Sequence, residues 1–267
     1  MYDIIIIGGG PAAASAAMTA RNRGKSVAVV ANKPQTANLW LAEKITNYPG
    51  FTGNGAELME CFRRQMSECG AEIIEGRALN AMPLGKSFGV AVGSNFYECR
   101  AVILCTGISR SPMCVGETEF LGRGVSYCAT CDGMLYRGKT VAVIGDGEEC
   151  EHDAEFLSGI GCTVLRFPKK SKIEITGEMK ADTLTVDGTE YKTDCIFILT
   201  DKVTSSSLVN GIETEKGTIA VDRKMKTNIH GVFAAGDCTG APYQVAKAVG
   251  EGNIAALSAC EYIKSIN

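Results

Sequence analysis

Short, unbroken apolar runs that close on glycine dominate the pattern along this chain. Asp3–Ile7 carries four isoleucines and opens into Gly8-Gly9-Gly10-Pro11-Ala12-Ala13, an alanine-rich stretch and then the apolar run Ser26–Val30. Thr140–Ile144 repeats the scheme, with Gly145-Asp146-Gly147, a helical stretch and the run Thr163–Arg166. Apolar runs of this length, alternating with helical stretches, predict parallel strands buried on both faces and joined by crossover helices. Each segment therefore reads as a βαβ unit, and the fold class as α/β with two Rossmann-like domains. Ala101–Cys105, ending in Thr106-Gly107, and Gly231–Ala235, ending in Gly236-Asp237, are two more buried strands of the first unit. A helical pattern runs from Pro242 to about Ile263. The second fold, 113–229, is thus expected as an insertion that divides the first into 1–112 and 230–267.

The insertion departs from its template after Arg166. A full doubly wound unit places a second crossover helix before its third parallel strand. Here Lys172–Thr176, Thr183–Val186 and Cys195–Leu199 read as short strands joined by turns such as Asp187-Gly188, with no helical period between them. The second nucleotide-type fold is expected to be truncated.

Composition narrows the class. The 267 residues are 45% hydrophobic and 21% charged, as in globular proteins. A net charge of −3 gives no general attraction to nucleic acid or to an anionic membrane. No apolar run is long enough to span a bilayer, and the four N-terminal isoleucines are too few for a signal peptide. Twelve cysteines without a secretory leader point to a reducing cytoplasm in which most are free thiols.

Gly8-Gly9-Gly10-Pro11-Ala12-Ala13 fits Gly-x-Gly-x-x-Ala between strand and helix. The first glycine makes the turn, the next lets the backbone approach a pyrophosphate, and the small third residue lets helix and strand pack closely. Asp237, closing the last strand, is placed to accept a hydrogen bond from a ribitol hydroxyl. The final helix then aims its N-terminus at the ligand, where its dipole would stabilise negative charge on a reduced flavin. The acid that usually binds ribose after the second strand is replaced by Ala31-Asn32, so Asn32 is the candidate there.

Cys128-Ala129-Thr130-Cys131 is a Cys-x-x-Cys followed at once by Asp132. Such a pair can close a tight disulfide in which one thiol attacks a partner's disulfide, and an adjacent carboxylate can shuttle the proton. The other reading is half of a zinc site, but a second Cys-x-x-Cys is absent and the only histidines are His152 and His230. No metal site is expected.

The string Gly122–Gly133 (GRGVSYCATCDG) closely resembles the active site of low-molecular-weight thioredoxin reductases. Ile45–Gly50 (ITNYPG), Thr106-Gly107 with Arg110, and Thr227–Asp237 (TNIHGVFAAGD) carry the same resemblance over most of the chain. It implies two domains of the FAD/NAD(P)-binding, three-layer ββα type, a bound FAD, a homodimer, a thioredoxin substrate and a swivel that exposes the dithiol. It also implies flavin contacts from Asn38, Asn47, Tyr243, Gln244 and Val245, with Tyr243 standing where the family has arginine. Trp40 lies in the loop Thr36–Glu43, which runs beside the flavin in the family, and packing is its simplest role.

Members of that family bind NADPH on the inserted domain, and this sequence departs wherever that matters. Acids stand at Asp146, Glu148, Glu149 and Glu151 around the second glycine loop, where they would repel a pyrophosphate, and Cys150 replaces a small residue. The basic run that would clamp a 2′-phosphate is reduced to Arg166, Lys169, Lys170 and Lys172, and Thr200–Thr204 replaces a Gly-x-x-Pro. A flavin accepts electrons singly, whereas nicotinamide delivers a hydride. An iron–sulfur donor is therefore expected, as in the ferredoxin-dependent flavin thioredoxin reductases that this chain resembles. Three rivals stay open: an NADPH-dependent reductase with an atypical site, a thiol oxidase and a non-enzymatic redox sensor.

Overall fold

The computed structural model describes residues 1–34, 37–108, 113–199 and 208–266, without the side chains of Cys131 and Glu149. It divides into two compact units, Met1–Ser109 with Lys202–Asn267, and Arg110–Asp201.

The first unit opens with β1 (Tyr2–Ile7), α1 (Pro11–Arg21) and β2 (Val27–Ala31). It continues through α2 (Gly55–Glu68), β3 (Glu72–Glu75), β4 (Ala78–Leu84), β5 (Ser87–Val92) and β6 (Asn95–Leu104). The second holds α3 (Glu117–Phe120), β7 (Val125–Ser126), α4 (Ala129–Asp132), β8 (Thr140–Gly145) and α5 (Glu148–Gly159). Strands β9 (Thr163–Phe167), β10 (Ile173–Gly177), β11 (Ala181–Val186), β12 (Thr189–Lys192) and β13 (Cys195–Leu199) follow. The chain then returns to the first unit with β14 (Thr214–Glu215), β15 (Thr218–Ile219), β16 (Val232–Ala234) and α6 (Val245–Ser265).

A seven-stranded sheet in the order β3-β2-β1-β6-β5-β4, with β16 also paired to β6, forms the first unit's centre. β1 pairs in parallel with β2 and β6, β2 with β3, and β6 with β16, while β4, β5 and β6 form an antiparallel meander. Ile4, Ile5 and Ile6 are wholly buried because both faces of β1 are covered. α1 and α6 lie against each other through small residues. A side chain on Gly252 would meet the Ala12 carbonyl at 2.1 Å, so only glycine allows this approach.

In the second unit a four-stranded sheet runs β7-β13-β8-β9, all parallel, beside a separate antiparallel sheet β10-β11-β12. Among the described residues no helix lies between β9 and β13. Both units are α/β with parallel Rossmann-like sheets.

Two expectations need correction. The second unit does not extend to 229: Leu208, Val209 and Ile219 are buried with Ile5, Val102 and Val232, so apolar packing draws this stretch into the first unit. The last helix starts at Val245 rather than Pro242, because Gln244 keeps an extended backbone and its N–H donates to the Pro242 carbonyl at 3.0 Å.

Candidate functional sites

The carboxyl ends of the first unit's parallel strands emerge side by side, since Ile7 aligns with Val30 and Leu104, and Leu104 with Ala234. Gly8 leaves β1 at φ +126°, and a side chain there would meet the Cys105 carbonyl at 2.0 Å. Gly9 is pressed against Ala31, where an added Cβ would be 2.8 Å from the alanine methyl. Gly10 is the N-cap of α1 and faces open space, with Pro11 as the first helical residue and Ala12 and Ala13 buried behind it. No side chain caps this helix, and its first turn carries no acid. Its first N–H groups and dipole are thus left to an outside acceptor.

Thr106 and Gly107 continue from β6. The Thr106 hydroxyl is buried without a hydrogen bond of good geometry, although it lies close enough to temper the Cys238 thiol. Gly236, at φ +86°, wedges between α1 and α6: a Cβ there would be 3.0 Å from that of Ala12 and 3.6 Å from that of Ala248. Half-buried Asp237 follows, and Tyr243, Gln244 and Val245, also half-buried, lead into α6. Gly8–Ala13, Thr106-Gly107 and Gly236-Asp237 therefore share one edge of the sheet. Asn32 follows β2 at that edge and is exposed. Asn38 and Asn47 are exposed on the segment between β2 and α2 and are not drawn to the strand ends by side-chain hydrogen bonds among the described residues. Trp40, half-buried, packs against the core beneath α1 and α2, in keeping with its expected packing role.

In the second unit, Cys128 is the N-cap of α4 with an extended backbone (φ −142°, ψ 102°) and is disulfide-bonded. Its N–H donates to Ser126 Oγ at 3.1 Å, and that hydroxyl donates to Asp132 Oδ2 at 2.7 Å. The Asp132 N–H closes the turn on the Cys128 carbonyl at 3.2 Å. Thr130 Oγ1 lies 3.6 Å from Cys128 Sγ. The Cys131 side chain and Arg110 lie outside the described residues, as do Thr200–Thr204. Among the described residues, ten other cysteines are in no disulfide. Beneath the turn, burial first of all, and then the charge of Asp132, raises the Cys195 thiol's pKa, against a hydrogen bond from Tyr136.

The second glycine loop is furnished differently from the first. Glu148 and Glu151 lie in the opening turn of α5. Arg166, at the end of β9, donates to the Glu151 carbonyl at 3.2 Å and pairs with its carboxylate at 3.3 Å. Asp146 accepts the Lys169 N–H at 3.4 Å. Cys150 is buried against the loop: a Cβ on Gly145 would be 2.8 Å from its sulfur. Lys169, Lys170 and Lys172 are exposed, as are His152 and His230. Among the described residues no group of three or more His, Cys, Asp or Glu is placed to hold a metal, and no helix is long and apolar enough to cross a membrane.

The pyridine nucleotide-disulphide oxidoreductase family matches residues 2–165 and 159–252. A thioredoxin reductase of Treponema pallidum (strain Nichols) is 31% identical over 301 residues, covering 99% of this chain and 98% of its own. The chain belongs to the thioredoxin reductase family. Another thioredoxin reductase, from Bacillus subtilis (strain 168), is 30% identical, covering 100% of this chain and 96% of its own. Among solved structures, the thioredoxin reductase from Streptococcus pyogenes MGAS5005 is similar with a TM-score of 0.90 at 28% identity, over 99% of both chains. A ferredoxin-flavin thioredoxin reductase from Clostridium acetobutylicum is 39% identical with a TM-score of 0.62, covering 99% of this chain and 98% of its own.

As a thioredoxin reductase, the protein is a flavoprotein disulfide reductase with FAD as its cofactor. The first unit fits that cofactor: an uncapped helix start and open space at Gly10 suit a pyrophosphate, and the Thr106 hydroxyl has bonding capacity to spare. Sequence reasoning missed Ser126, which ties Cys128 to Asp132, and two charged residues of α6, Lys247 and Glu251. A serine two places before the first cysteine, and a Lys–Glu pair four apart near a helix start, were the available signals.

Proposed function

We propose that the protein passes electrons from reduced ferredoxin through FAD and a Cys128–Cys131 disulfide to thioredoxin. The carrying observation is the contrast between its two glycine loops. The start of α1 is bare of acids and caps, as an anion site requires, whereas acids fill the start of α5 and Arg166 and the Lys169 amide are already spent on them. A pyridine nucleotide would have to break those contacts and bring its own phosphates against the acids. The name of the Clostridium acetobutylicum relative supports the choice of donor.

On this reading, Gly8, Gly10, Pro11, Ala12 and Ala13 cradle the pyrophosphate, while Asn32, Asn38 and Asn47 serve the outer contacts. Thr106, Gly107, Gly236, Asp237, Tyr243, Gln244 and Val245 serve the rest of the flavin. Bound FAD supplies the conversion between one-electron delivery and two-electron disulfide chemistry. Two electrons and two protons open the disulfide to two thiols, and the dithiol reduces the thioredoxin disulfide by exchange. Asp132, anchored by Ser126, is the group that holds or returns a proton at the thiol released from the disulfide. The disulfide state of Cys128, with ten other cysteines among the described residues in no disulfide, supports this pairing. The enzyme is taken to act as a homodimer in the cytoplasm.

A second reading, a pyridine-nucleotide-dependent thioredoxin reductase, is favoured by the family match across both glycine loops. Anaerobic turnover separates the two. Reduced ferredoxin should sustain reduction of thioredoxin, and Cys128→Ser or Cys131→Ser should abolish it while the protein stays yellow. Turnover with NADPH and none with ferredoxin would reverse the assignment. Peroxide release in air from reduced dithiols alone would indicate an oxidase instead, and a wild type that binds thioredoxin without turning it over would indicate a redox sensor.

A further inference from the structure

The turn between β16 and α6 is braced by a charged pair that helix formation does not explain. Lys247 is the third residue of α6, and its ammonium donates to the Gly236 carbonyl at 2.9 Å, the Gly240 carbonyl at 2.6 Å and Thr239 Oγ1 at 2.9 Å. It also lies 3.2 Å from Glu251 Oε2. The same carboxylate oxygen accepts the Gly236 N–H at 2.9 Å. Thr239 Oγ1 is 2.8 Å from both that oxygen and the Gly236 carbonyl, either of which can take its single proton. The two charged side chains are only 15% and 17% exposed.

Two rules of helix stability run against this arrangement. A cation in the first turn opposes the helix dipole, and a lysine four residues ahead of a glutamate is the weaker order for such a pair. Setting both charges largely out of water adds a desolvation penalty. What the pair gains lies outside the helix: it fastens both carbonyls and one amide at the ends of the Gly236–Gly240 turn. Gly236 (φ 86°, ψ −152°) and Gly240 (φ 107°, ψ −176°) are backbones that hold no such shape by themselves. Asp237 sits between them.

We propose that Lys247 and Glu251 are positioning residues for the flavin. They pre-form the Gly236–Gly240 turn, so that Asp237 and the Gly236 backbone meet FAD without a further ordering cost. The inference rests on the reading of Asp237 as a flavin contact. Neither residue need touch the cofactor.

The test is titration of the flavin-stripped protein with FAD, followed by flavin fluorescence, alongside thermal unfolding of the same apoprotein. The double variant Lys247→Met with Glu251→Gln removes both charges together and leaves neither one buried alone. Its FAD dissociation constant should rise about tenfold or more, as expected when a preorganised contact is lost. Thr239→Val, which exchanges a hydroxyl for a methyl and keeps both charges, should raise the constant by about threefold, and it carries the test if the double variant does not fold. Asp237→Ala serves as the control. If it weakens FAD while the clamp variants bind within a factor of about two of wild type, with only the apoprotein's melting temperature lowered, the pair is merely structural and the inference fails. If Asp237→Ala also leaves binding unchanged, the parent assignment of Asp237 fails instead, and this inference with it.

Discussion

Cys99 and Cys238 lie in the interior of the first unit, where burial pushes their thiols up to about 12 and about 11 respectively. The thiolate pays the desolvation penalty, so the folded state holds the proton more tightly than the unfolded chain, whose thiols titrate near 9.0. The stability this confers is complete below about pH 9 and is lost as the pH climbs toward the folded values, at up to ~1.4 kcal/mol per pH unit for each thiol. Urea midpoints under reducing conditions should therefore fall steeply above about pH 9, and less steeply in Cys99→Ala. An unchanged midpoint through this window would contradict the burial argument. At this scale, a residue whose role follows from backbone shape was legible: Gly8 needed its positive φ, and its place at the turn after the first strand announced it. Lys247 was not, because a lysine on a helix looks the same in sequence whether its ammonium meets water or two carbonyls, a hydroxyl and a carboxylate.

The close crossing of α1 and α6 ties the glycine loop to the turn at Asp237. Its tolerance is small, since a side chain at Gly252 meets backbone rather than a movable group. Gly252→Val should cost about 3 kcal/mol by overpacking and should weaken FAD retention in step, read from urea unfolding and from flavin lost on gel filtration. A midpoint equal to the wild type's would mean that the helices have room to separate. The parallel strands were plain in the sequence because double burial makes them continuously apolar. The meander of β4, β5 and β6 was harder: one face is open, leaving Leu79, Met82, Leu84 and Phe96 exposed, and its pattern is irregular. α2 also went unread, although Asn54 and Glu57 form a full capping box at its start.

Across the whole molecule, the two glycine loops share a strand–turn–helix plan but present opposite charge to an incoming phosphate. That difference was legible from the acids alone. The structure adds the engagement of Arg166 and Lys169 with those acids, which spacing along the chain could not give. The limits of the second unit were misjudged because 208–219 offers short apolar pieces whose partners lie more than a hundred residues away, at Val102 and Ile5. Thioredoxin reductases named for ferredoxin and others named without it both match nearly the whole chain, so overall likeness does not choose the donor. The flavin itself can. In an anaerobic titration of the purified yellow protein, reduced ferredoxin should bleach the flavin absorbance at stoichiometric amounts, while NADPH and NADH in excess leave it unchanged. Rapid bleaching by micromolar NADPH would contradict the account.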